Sequence, residues 1–200
     1  MSTIQQERPK SDFRRRLLEG LAASLREKGL QRTQISDVVR HAHTSRRTFY
    51  ECFPDKESCF VELLEEFSQA ILAEVRAAVD PEATWDEQVD QAIDAYLGAL
   101  DRDPVLLVTL SRELPTLGAR GAELLHLGVE RYAQLIVALT KAARPRSGKR
   151  ATATLEEATM LAGGVSELIG RAAMRGDSVR SVAPTMKKVI KAVLDPRRAR

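Results

Sequence analysis

The chain has 200 residues, of which 44% are hydrophobic and 30% charged, and a formal net charge of +3. This composition is globular, excludes a disordered chain, and allows one larger or two small cores. Apolar runs such as Val105 to Val108 fall far short of the ~20 residues of a bilayer span, and the N-terminal MSTIQQERPK has no apolar signal core, so a cytoplasmic protein without a membrane partner is expected.

The charge is unevenly placed: residues 1–56 carry +5, residues 57–185 carry −7 and residues 186–200 carry +5. A basic N-terminal unit suits a polyanion, whereas the acidic middle does not. Cys52 and Cys59 are the only cysteines, so no disulfide framework is implied.

Periodicity predicts helices almost throughout and no strand alternation. Phe13, Leu17, Leu18, Leu21, Ala22 and Leu25 stripe a first helix that Gly29 should stop. Thr33 is expected to cap a short second helix with Ile35, Val38, Val39 and Ala42 facing inward. After His43 and Thr44, Ser45 should cap a third helix, and Asp55 a long fourth striped by Phe60, Leu63, Leu64, Phe67, Ile71 and Val75.

A composition break at DPEAT, Asp80 to Thr84, precedes the capping box TWDE and a helix carrying Val89, Ile93, Tyr96, Leu97 and Leu100. Asp103 and Pro104 start another helix, which Pro115 should end. A long helix through Leu124, Leu125, Tyr132, Leu135, Ile136 and Leu139 leads to a polar loop, RPRSGKRAT, from Arg144 to Thr152. The capping box TLEE at Thr154 opens a helix through Leu161, Val165, Leu168, Ile169 and Ala172 that Gly176 stops. A final helix bears Met186, Val189, Ile190 and Val193, with Pro184 in its first turn.

The third helix is unusual for a chain with so few aromatics. In SRRTFYECF, Phe49, Cys52 and Phe53 point to one side and Arg47, Tyr50 and Glu51 to the other, with Arg46 at the edge. Phe49 and Phe53 are therefore expected to pin the helix to the core while Arg46, Arg47 and Tyr50 are presented outward. Two helices joined by a turn, the second displaying arginines, is the helix-turn-helix geometry, whose recognition helix enters the DNA major groove. Arginine reads guanine through two hydrogen bonds, and a tyrosine reaches phosphate or a thymine methyl.

The stretch TQISDVVRHAHTSRRTFYECFPDKESCFVELL, Thr33 to Leu64, resembles the N-terminal motif of the TetR/AcrR transcriptional regulators. The match includes Thr33, Asp37-Val38, Ala42, Ser45, Thr48-Phe49-Tyr50, Phe53 and Asp55-Lys56-Glu57. The resemblance implies an all-α homodimer of about nine helices. It has an N-terminal three-helix DNA-binding domain at residues 10–56 and a larger ligand-sensing and dimerisation domain at residues 57–200. It implies a DNA-facing set of Thr33, Ser45, Arg46, Arg47, Thr48, Tyr50 and Lys56, with Thr33 on phosphate and Thr48 and Lys56 holding the DNA backbone. Departures fall at the turn: His43 stands where the family usually has glycine, Thr44 where it has a small apolar residue, and Arg47 where glycine is frequent.

Other chemistries find little support. His41, His43, Cys52 and Cys59 match no closed zinc pattern, so no metal is expected. SGKR lacks the glycine and Ser/Thr of a phosphate loop, and GVSEL lacks the second glycine of a nucleophile elbow, so neither a catalytic residue nor a cofactor is assigned.

Two weaker signals lie downstream. Small residues among Leu161 to Ala173 suggest close helix approach, and the resemblance pairs the last two long helices across a two-fold axis. The expected interface comprises Leu161, Gly164, Val165, Leu168, Ile169 and Ala172 with Met186, Val189, Ile190 and Val193. Polar residues on otherwise apolar helices, namely Tyr96, Thr109, Arg112, His126 and Tyr132, are the candidates for orienting a mostly apolar ligand. The expected function is a ligand-responsive DNA-binding regulator, a repressor whose partners are duplex operator DNA, a small apolar or amphipathic effector and a second copy. The alternative is a helical ligand-binding or scaffold protein with a vestigial helix-turn-helix.

Overall fold

A computed structural model describes residues 4–142 and 152–194, with side chains from Ser11 onward. All regular secondary structure among the described residues is helical, with nine α-helices and two short 3-10 turns. They form two compact units that divide after Phe67, inside the fourth helix. No described helix is long and apolar enough to cross a membrane. The polar loop expected at 144–152 lies outside the described residues except for Thr152, as does the basic tail beyond Leu194.

The first unit contains α1 (Ile4–Arg32), α2 (Ile35–His41), α3 (Arg46–Cys52) and the start of α4 (Lys56–Ala78). Leu17, Leu18, Leu21 and Leu25 of α1 are buried together with Val38, Phe49, Phe53, Cys59 and Phe60, which places one side of every helix in a common core. Burying such side chains contributes roughly 1.5–3 kcal/mol each. Gly29 breaks the regular conformation of α1 with φ 74°, a left-handed backbone in which glycine carries no Cβ clash.

The expected cap of α2 is corrected by one residue. Gln34, not Thr33, is its N-cap, and its backbone N–H donates to Asp37 Oδ2 at 2.8 Å. Thr33 is buried, donating from Oγ1 to the Gly29 carbonyl at 2.7 Å and lying 2.9 Å from the Ser24 hydroxyl. The two buried hydroxyls satisfy each other, and the Gly29 carbonyl accepts from both the hydroxyl and, at 3.2 Å, the N–H of Thr33.

The second unit contains the rest of α4, then α5 (Trp85–Asp101), α6 (Pro104–Glu113), a 3-10 turn (Leu114–Leu117), α7 (Gly118–Ala142), α8 (Leu155–Arg175), a 3-10 turn (Val179–Val182) and α9 (Ala183–Val193). The capping boxes at Thr84 and Thr154 both form, and α8 ends at Gly176 in the left-handed conformation. Ala133, Ala158 and Ala162 meet in a buried cluster where α7 and α8 pack. Facing small side chains let two helix axes approach closely.

Candidate nucleic-acid interface and ligand cavity

The helix-turn-helix is built by local chemistry. Ser45 caps α3, accepting from the Thr48 N–H at 3.1 Å, and its hydroxyl lies 2.9 Å from Thr48 Oγ1. His43 takes φ 48° in the turn, a left-handed conformation that histidine adopts more readily than a β-branched residue. Arg16 holds this turn from α1, donating to the His43 carbonyl at 2.7 Å and also to the Ala42 carbonyl.

Phe49 and Phe53 are buried with ring centroids 5.7 Å apart, and Phe49 meets the Tyr50 ring edge-on at 5.6 Å. Arg14 lies over the Phe53 ring at 4.4 Å, donates to the Cys52 carbonyl at 2.7 Å and forms a two-pronged pair with Glu62. That pairing raises the Arg14 pKa further, so this clamp on the end of α3 stays charged.

The outward face carries Arg46, Arg47 and Tyr50, all exposed. The Arg47 side chain is 89% exposed and its Nε donates to Glu51 Oε1 at 2.9 Å. Of the expected DNA-facing set, Ser45, Arg46, Arg47, Thr48 and Tyr50 therefore stand on or at the start of one short helix.

Thr33 and Lys56 stand elsewhere. The Thr33 hydroxyl is turned inward, leaving no side-chain group for a phosphate. Lys56 Nζ donates to the Leu30 carbonyl at 2.6 Å and the Thr33 carbonyl at 2.7 Å, tying the start of α4 to the end of α1. Its charge adds a donor to carbonyls at the helix end, where intrahelical partners run out. Lys56→Met, which keeps the stem and removes the donors, is expected to lower stability by ~1–3 kcal/mol in urea unfolding. An unchanged midpoint would show that these two bonds contribute nothing.

Asp37 and Cys59 have structural roles. The Lys28 ammonium, 2.8 Å away, and the Gln34 N–H hold the Asp37 carboxyl below the usual carboxylate range. Burial pushes the Cys59 thiol well up, leaving it an unreactive apolar group. No group of three or more His, Cys, Asp or Glu side chains among the described residues is placed to hold a metal ion.

The second unit holds a half-open apolar pocket with a cavity volume of about 110 Å³. Its walls are Val75 and Val79 of the α4 end, Trp85, Gln88, Val89, Ala92, Ile93 and Tyr96 of α5, and Tyr132, Leu135, Ile136, Leu139 and Thr140 of α7. Ala162 and Val165 of α8, Met186 and Ile190 of α9, and Leu194 complete it. Its apolar lining, broken by a few polar groups, is of the kind found in small-molecule sites.

Tyr96 and Tyr132 pack edge to face with centroids 5.2 Å apart. Burial raises both phenol pKa values, so both remain protonated donors. Gln88 is held by its Nε2 donating to the Asp80 carbonyl at 2.9 Å, and Thr140 Oγ1 donates to Val137 and accepts from the Ala153 N–H. The Trp85 indole N–H is buried without an acceptor among the described residues.

Two of the five expected ligand residues, Tyr96 and Tyr132, line this cavity. Thr109, Arg112 and His126 do not: Thr109 Oγ1 returns to the Val105 carbonyl at 2.8 Å, and Arg112 and His126 are exposed. The sequence reading missed Trp85, Gln88 and Thr140. The only signal for Trp85 was its being the sole tryptophan, placed just after a capping residue.

The expected interface residues also divide. Val165, Met186 and Ile190 line the cavity, Leu161, Ile169 and Ala172 are buried within the chain, and Val193 packs on the Leu161–Leu194 cluster. Gly164, Leu168 and Val189 remain exposed. On α8, Gly164 and Leu168 share a face with exposed Met160 and Met174, and a Cβ built at Gly163, Gly164 or Gly170 would meet open space.

Residues 17–63 match the family described as "Bacterial regulatory proteins, tetR family". The whole chain is similar in fold to Salmonella enterica GusR, with TM-score 0.70 and 19% identity over 92% of this chain and 95% of that one. It is similar to the transcriptional regulator FadR from Bacillus subtilis, solved in complex with stearoyl-CoA, with TM-score 0.70 and 14% identity over 90% and 97% of the two chains. FadR from Bacillus halodurans, a fatty acid degradation regulator, gives TM-score 0.70 and 17% identity over 90% and 94%. A sequence comparison with curated proteins finds no significant match.

Proposed function

We propose that this chain, a member of the tetR family of bacterial regulatory proteins, is a cytoplasmic, non-enzymatic repressor. It binds a two-fold-related operator as a homodimer and is released by an apolar or amphipathic effector. The observation that carries the DNA-binding half is α3 itself, pinned by buried Phe49 and Phe53 and offering Arg46, Arg47 and Tyr50 to solvent. A helix so anchored brings guanidinium groups to base edges without losing its register.

The effector half rests on the cavity. Its walls offer a broad apolar surface and protonated phenols, which suit an acyl chain or ring system bearing a hydrogen-bond acceptor. Stearoyl-CoA, bound to the B. subtilis relative, contains such a chain. An effector changes operator affinity only by the difference in its affinity for the two protein conformations, typically ~1–3 kcal/mol of coupling. The effector-bound form therefore prefers a spacing of recognition helices other than the ~34–36 Å between successive major grooves.

The dimer reading rests on the exposed face of α8, where Met160, Leu168 and Met174 flank glycines with open space above them. Surface of this kind is completed by a close-packing partner helix. Gly164→Arg is expected to give a monomer by sedimentation; a retained dimer would move the interface off this face.

Binding to the DNA upstream of the chain's own gene, measured with and without a panel of apolar compounds that raise the melting temperature, tests the whole reading. Specific binding released by a stabilising compound is expected. Arg47→Ala should cost ~1–3 kcal/mol of operator affinity. Stabilisation by ligands without any DNA binding would identify a helical ligand-binding module instead.

A further inference from the structure

Glu51 is an acidic residue where a DNA-binding helix should avoid one. At 100° per residue, Arg47 and Glu51 each lie about 160° around α3 from buried Phe49, so they are the most outward pair on the helix. Their side chains are 89% and 57% exposed, and they are joined by the 2.9 Å bond from Arg47 Nε to Glu51 Oε1. A carboxylate on this face repels phosphate.

Helix stability does not account for the pair. Arg47 stands in the first turn and Glu51 in the last, each at the end of the macrodipole that disfavours its charge. The order, cation before acid at i and i+4, is also the weaker one for a helical ion pair. The bond leaves both Arg47 Nη atoms and Glu51 Oε2 without partners among the described residues. Together these atoms make a donor fork beside an acceptor.

We propose that Glu51 is a base-reading residue that acts with Arg47 to select G·C content in each half-site. This rests on the DNA-binding reading above. The Arg47 fork takes guanine O6 and N7, while Glu51 Oε2 accepts from the N4 amino group of a cytosine in the same or the adjacent pair. The ion pair serves two ends: it holds both side chains in register and cancels the charge that would otherwise oppose the phosphates. With seven residues and a length of roughly 10 Å, α3 fits within the ~12 Å width of the major groove, so both turns reach base edges.

The test is selection of bound duplexes from a randomised pool by the full-length protein and by Glu51→Gln and Glu51→Ala, both exposed substitutions that leave the core untouched. The wild type is expected to require cytosine at one position per half-site. Glu51→Ala should flatten that position by ~10-fold while raising affinity for random DNA, because a negative charge has been removed. Glu51→Gln should move the preference from cytosine to adenine, whose N6 and N7 pair with a carboxamide. Uniformly tighter binding in both variants with an unchanged base profile would overturn the proposal while leaving DNA binding intact. A wild type that enriches no sequence would overturn the DNA-binding reading and this proposal with it.

Discussion

Phe49→Ala is expected to unfold the DNA-binding unit under conditions where the wild type is fully folded. Phe49 has no exposed surface, and its ring contacts Tyr50 and Phe53 within the core that also holds Leu17, Leu21 and Val38. Removing a buried phenyl ring costs ~3–5 kcal/mol, because the lost transfer energy is joined by that of the cavity left behind. Whole domains are stable by only ~5–15 kcal/mol. Urea unfolding followed by circular dichroism should show the loss directly, and operator binding should vanish, because α3 is too short to persist without its anchor. A loss below ~1 kcal/mol would mean that the site collapses around the alanine and that Phe53 alone pins the helix.

Gly20→Ala should have the next largest effect, although alanine is usually the better helix former by ~1 kcal/mol. A Cβ at Gly20 would lie 2.6 Å from the Val38 carbonyl oxygen, 3.0 Å from the Ala42 nitrogen and 3.1 Å from the Ala42 Cβ. The first two are backbone atoms of α2 and the turn, and they cannot rotate away. The methyl group must push α2 from α1, and overpacking of this kind costs ~1–3 kcal/mol. Because α2 sets the position of the turn, DNA affinity should fall by more than the stability change alone predicts. Calorimetric melting and operator titration on the same variant measure both. Unchanged values would show that α1 and α2 have slack at their crossing.

The helices and most of their ends were legible because their signals are local. Ser45, Thr84, Asp103 and Thr154 each accept from an N–H three residues ahead, a geometry that three or four residues of sequence determine. The division of work on α3 was legible for the same reason, since at 3.6 residues per turn Arg47 and Tyr50, two residues and one residue from Phe49, fall about 160° and 100° around the helix from it. Thr33 shows the limit of such reasoning. It has the right chemistry for a cap and lies one residue from it, but its hydroxyl finds Ser24 and Gly29, partners across a helix break.

Lys56 shows the same limit for charge. Its ammonium was expected at phosphate, yet carbonyls of Leu30 and Thr33, more than twenty residues away in sequence, take two of its hydrogens. Among the ligand candidates, the polar residues on apolar helices looked equivalent in sequence. Only the way α4, α5, α7, α8 and α9 surround one pocket separates Tyr96 and Tyr132, whose rings meet in its lining, from Thr109, Arg112 and His126, which do not line it.

By itself, then, the sequence determined the all-helical class, the order and capping of the helices, and an α3 with an aromatic face and an arginine face, because backbone hydrogen bonding and periodicity act over a few residues. Tertiary structure alone decided that Gly20 is a contact point, that Lys56 is an internal tie, and that Val165, Met186 and Ile190 belong to a cavity wall while Met160, Gly164 and Leu168 face outward. An apolar side chain on a helix is equally suited to core, cavity or interface, and which it joins depends on what distant segments place opposite it.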